Sequence, residues 1–152
     1  MKFADINIRC SEALLSSALL TGGLMLGTMP AAAAGKAEEK VSIPATSDAI
    51  WPSIDKETEQ LAAVIQSGRL EEVHHHAFAI RDLVAALPAK SASLGPDKVA
   101  QVKANVKFVN TLAERLDATG DAKDKAGTEA NFQKLKTVLK TIRSSYSAVG
   151  SK

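Results

Sequence analysis

One cysteine, three methionines, one tryptophan, one tyrosine and four phenylalanines are all that this 152-residue chain holds of the residues that most often carry thiol, thioether or stacking chemistry. Their positions narrow the options further. Cys10, Met1, Met25 and Met29 all stand ahead of the run Ala31 to Ala34, in a segment whose removal is expected from its own pattern. Without that segment no disulfide, thiolate or thioether ligand remains, and the fold must be held by packing. No C-x-x-C-H run exists, so covalent haem attachment is excluded. The absence of a methionine, or of a histidine on a second helix, argues against haem ligation of the other kinds. Glu71-x-x-His74 and Glu72-x-x-His75 have the spacing of a di-iron carboxylate motif, but the other helices lack the second histidine that such a site needs. There is no glycine-rich phosphate loop and no nucleophile elbow; Ser91, Ser93, Ser144, Ser145 and Ser147 fall in loops or at helix ends. No enzyme activity is expected. The net charge of +2 is small and dispersed, so neither nucleic acid nor an anionic membrane surface is an expected partner.

What is present begins with an export pattern. Lys2 and Arg9 open the chain, an apolar stretch runs from Leu14 to about Met29, and Pro30 leads into the alanines. A basic start, an apolar middle and an A-x-A site are the parts of a secretory signal peptide. The middle is interrupted by Ser16, Ser17, Thr21 and Gly22-Gly23, so a stable membrane span is not expected. Cleavage after Ala34 would leave residues 35–152, and would remove two bases and two acids (Asp5 and Glu12), keeping the charge at +2. The expected organisation is a signal peptide over 1–34, a flexible leader over 35–46 and a helical domain over 47–150, located in the periplasm.

Four stretches then carry helical period and none alternates as a strand. The first runs from about Asp48 to Ser67, with Ser47 as N-cap, Gly68 as stop and Ile50, Ile54, Leu61, Val64 and Ile65 as its apolar stripe. The second covers about Leu70 to Leu87, with Val73, Ala77, Ile80, Val84 and Leu87 on one face and Pro88 ending it. The third opens at Gly95-Pro96 and carries Val99, Val102, Val106, Val109, Ala113 and Leu116 until Gly120. The fourth spans about Thr128 to Tyr146, with Phe132, Leu135, Leu139, Ile142 and Tyr146; residues 121–127 fit either loop or helix. Trp51, Phe78, Phe108, Phe132 and Tyr146 are expected at the core or its edge. Single-striped helices joined by short turns predict an all-α, up-down-up-down antiparallel four-helix bundle.

All three histidines are consecutive: His74, His75 and His76. Successive helical residues turn by about 100°, so the three diverge, with His76 at the edge of the buried stripe. Glu71 and Glu72 precede His75 and His76 by one turn each. The predicted topology brings Glu114, Asp117, Asp121, Asp124, Glu129 and Asn131 to the same bundle end. Imidazole with carboxylate suits zinc, nickel or divalent copper. Three readings of the triplet stay open: ordinary surface and core-edge side chains, a transition-metal site, and a pH-responsive element.

The run from Val73-His74-His75-His76-Ala77-Phe78 to Leu87-Pro88, followed by Ala104-Asn105-Val106-Lys107-Phe108-Val109 and Gly120-Asp121-Ala122-Lys123-Asp124-Lys125, resembles small periplasmic helical proteins associated with heavy-metal efflux systems of Gram-negative bacteria. The likeness spans about Ile50 to Ile142. It implies a periplasmic helical bundle in a metal-resistance setting and carries no ligand set of its own. The expected function is an accessory protein that binds or senses Cu, Zn or Ni through His74, His75 or His76, helped by Glu72 and Glu129. The alternative is a structural or interaction protein, free of metal, that contacts an efflux or envelope partner.

Overall fold

The computed structural model describes residues 40–91 and 93–147, with the side chain of residue 147 left aside. The expected signal peptide, the leader up to residue 39 and the last three residues of the expected domain lie outside the described residues. Four helices pack on one another: α1 (Ser47–Ser67), α2 (Val73–Ala86), α3 (Pro96–Asp121) and α4 (Lys125–Ser147). Single tight 3-10 turns flank α2, at Leu70–Glu72 and Leu87–Lys90. The described residues contain no strand, and no helix among them is long and apolar enough to cross a membrane.

Each boundary has a local cause. Thr46, not Ser47, caps α1: its hydroxyl accepts from the Ala49 amide at 3.2 Å, and Ser47 becomes the first helical residue. Pro52 is the sixth residue of α1, just past the first turn, so the helix gives up there the bond that an amide would make to the Asp48 carbonyl. At the far end Gly68 takes φ 78°, and the amides of Gly68 and Arg69 reach back to the carbonyls of Ile65 and Val64. That pair of hydrogen bonds is the Schellman stop, which glycine enters without a Cβ penalty. Pro88 does not end the second helical segment outright. The chain tightens into a 3-10 turn through Lys90, a geometry in which an early proline removes no needed donor.

The stretch 121–127 divides three ways. Asp121 closes α3, Ala122 to Asp124 form a turn with Lys123 at φ 54°, and Lys125 begins α4. Asp124 caps that helix, its Oδ1 accepting from the Gly127 amide at 2.9 Å. Gly120 is not the stop either. It is buried inside α3, where a Cβ would meet the Leu70 carbonyl oxygen at 2.7 Å.

The apolar stripes meet in one core. Ile50, Ile54 and Leu61 from α1, Ile80, Leu83 and Val84 from α2, Val102 and Leu116 from α3, and Leu135 and Ile142 from α4 are all buried. Burial of such side chains, at about 1.5–3 kcal/mol each, opposes the entropy of ordering the chain. Phe108 departs from expectation: it is 61% exposed. It precedes Val109, which lies in the core, and one helical step turns it about 100° away. The sequential helix pairs share long seams, whereas α1 and α4 meet over a much shorter one. That short seam is closed by Trp51 edge-on to Tyr146, at 5.6 Å between centroids, and by Arg143 on Asp55 at 2.6 Å.

Candidate functional site

The histidines occupy the first turn of α2, just past the Leu70–Glu72 turn. Because α2 packs against both α1 and α3, its buried face is broad enough to include a second column of residues. His74 falls in that column and is only 7% exposed. His75 is exposed, its ring centroid 3.8 Å from that of His74 with the planes tilted by 39°. His76 is half-buried on the side facing α1, in keeping with a position at the stripe edge.

His76 has a partner that the sequence did not suggest. Its Nδ1 lies 2.8 Å from Oε2 of Glu57 on α1, and both side chains are about one-fifth exposed (20% and 18%). A carboxylate can only accept, so the proton of this bond sits on Nδ1, and in the neutral ring Nε2 is then the nitrogen with the lone pair. The same bond fixes the ring, as carboxylates commonly do behind metal-ligating histidines. His75 and His76 share a hollow of about 320 Å³, lined also by Glu57, Gln60, Ala79 and Lys40. Two imidazoles and one carboxylate therefore border one open space across the α1–α2 seam.

The other expected ligands stand elsewhere. Glu72 receives two bonds from the Arg69 guanidinium, at 2.8 and 3.1 Å. Glu129 lies 4.0 Å from Lys125, one turn back on α4. Neither lines the histidine hollow. The end of α3 does lie beside the triplet, since Gly120 approaches Leu70 and Val73. Sharing an end does not make a cluster, however. Among the described residues, no three His, Cys, Asp or Glu side chains converge closely enough to hold one metal ion.

Nothing in the sequence marks Glu57, because its significance depends on the register between α1 and α2. An apolar stripe shows which face of a helix is buried, but not which residue on the neighbouring helix stands opposite. Compared with protein-family models, curated proteins and solved structures, the chain matches none.

Proposed function

We propose that this is an exported accessory protein of the bacterial periplasm, not an enzyme, that binds Cu(II), Zn(II) or Ni(II) at the edge of an up-down-up-down four-helix bundle. The antiparallel arrangement is supported by the close approach of Trp51, early in α1, to Tyr146, late in α4. Export is supported by the pattern of the first 34 residues.

The observation that carries the metal reading is the Glu57–His76 bond beside His75. In this reading His75 and His76 offer ring nitrogens while Glu57 orients the His76 ring. Two imidazoles fall short of the four ligands of a structural zinc site. The binding proposed is accordingly weak and exchangeable, with water or a partner's side chain completing the coordination, as suits handing a metal on. Protons compete with the metal for the same nitrogens, so binding weakens as pH falls.

Isothermal titration of the purified protein with each ion tests this. A micromolar dissociation constant is expected, with loss of binding in the His75→Ala/His76→Ala variant and a clear weakening in Glu57→Gln. Unchanged binding in the double variant would overturn the reading. A second reading is favoured by the exposed Phe108 ring on α3: a metal-free contact with an envelope or efflux partner. Such a contact would survive chelation and be lost in Phe108→Ser.

A further inference from the structure

The short α1–α4 seam leaves a groove of about 200 Å³ between the two helices. Its walls are two stripes at helical spacing. Trp51, Ile54, Asp55 and Thr58 line it from α1, and Lys136, Leu139, Lys140 and Arg143 line it from α4. Residues three, four and seven apart lie on one helix face, so the groove follows each helix for about two turns. Its floor is apolar, because Ile54 and Leu139 are both core residues. Its rim is cationic.

The charges on that rim are unequal in what they already do. Arg143 is already engaged: its guanidinium stands 4.5 Å over the Trp51 ring and bonds Asp55 at 2.6 Å. Asp55 is the only acid lining the groove, and this pair accounts for it. Lys136 and Lys140 remain as the excess charge. They are one turn apart on the same face, the spacing at which like charges repel. Lys136 also lies 5.0 Å from the Phe132 ring. No acid follows Glu129 on α4, so nothing on that helix offsets them. An anion held between the two lysines would relieve their repulsion.

We propose that the groove binds a small anionic amphiphile, a medium-chain carboxylate whose acyl body lies on Ile54, Leu139 and the edge of Trp51. Lys136 and Lys140 hold its head. Exposed ion pairs contribute little by themselves, so an inorganic anion gains too little here. An apolar body adds burial in proportion to its length, and the two together set the class of ligand. The proposal shares no residue with the histidine hollow and stands or falls apart from it.

Trp51 is the chain's only tryptophan, so its fluorescence reports on this groove directly. The purified protein is titrated with decanoate, decyltrimethylammonium and inorganic phosphate, all below any micelle-forming concentration. Decanoate is expected to give a saturable change, with the other two at least tenfold weaker. Lys136→Glu/Lys140→Glu, at two exposed positions, is expected to weaken decanoate at least tenfold while keeping the helical circular dichroism. Lys136→Gln/Lys140→Gln, which removes charge without reversing it, provides the same test by a milder change. No saturable response to decanoate, an equal response to decyltrimethylammonium, or undiminished binding in both variants would overturn the proposal. So would a response to phosphatidylglycerol vesicles alone, which would assign the basic face to a membrane surface.

Discussion

Gly120 shows how much can hang on the absence of one methyl group. A Cβ there would stand 2.7 Å from the Leu70 carbonyl oxygen and 3.3 Å from Cβ of Val73. Both atoms belong to the start of the neighbouring helical segment, and backbone cannot swing aside as a lysine end can. Alanine is favoured over glycine within a helix by about 1 kcal/mol, yet overpacking of this kind costs about 1–3 kcal/mol. Gly120→Ala is therefore expected to destabilise the protein, read as a lower urea midpoint at unchanged slope. A higher midpoint would mean that the two segments can slide apart freely. In the sequence the same glycine looks like a helix stop, because the carbonyl that requires it lies fifty residues earlier. The role of Glu57 and the burial of His74 are not visible in the sequence for a related reason, since both come from neighbouring helices. Phe108 was legible. It stands one residue from Val109 and so cannot share that residue's face.

At the scale of the element, the apolar stripes are legible in the sequence because each needs only its own helix. Every residue assigned to the faces of α1 and α2 is buried. The ends were less legible, since a cap depends on a backbone bend that several neighbouring residues could make. Thr46 rather than Ser47 holds the start of α1, and Asp124 settles the stretch that fitted either loop or helix. Asp124 Oδ1 satisfies the Gly127 amide, and its carbonyl accepts from both the amide and the hydroxyl of buried Thr128. Only the side-chain bond is lost in Asp124→Ala, and the usual cost of such a cap is about 1 kcal/mol. A drop of that size in denaturant stability is expected. Asp124→Asn, which keeps an acceptor, should lose much less.

At the scale of the whole molecule, one small polar junction ties distant parts of the chain together. The hydroxyls of Ser91, in the link between α2 and α3, and Tyr146, late in α4, are 2.6 Å apart. Ser91 also donates to the Leu87 carbonyl, and the Tyr146 ring rests against Trp51 of α1. Burial raises the Tyr146 phenol above its ordinary value of 10.0, and the bond to Ser91 offsets this only in part. The folded state thus holds the phenolic proton more firmly than the unfolded chain does. That contribution is fully present below about pH 10 and is lost as pH rises through the folded value. Tyr146→Phe removes it, so the stability gap between parent and variant should stay constant up to about pH 9 and narrow only as pH rises above about 10. Paired thermal melts check this, and a gap independent of pH would contradict the account.

The same short seam has a kinetic meaning. Three of the four helix–helix seams join neighbours in sequence across brief turns, and contacts between near neighbours form quickly. The contact of α1 with α4 is different, because Trp51 must wait for Tyr146, the far end of the described chain, before its ring has anything to rest on. During synthesis or refolding the other three seams can already exist while this one has no second wall. The groove is thus expected to be the last of these helix–helix contacts to form, and the lone tryptophan beside it to report when α4 docks on α1.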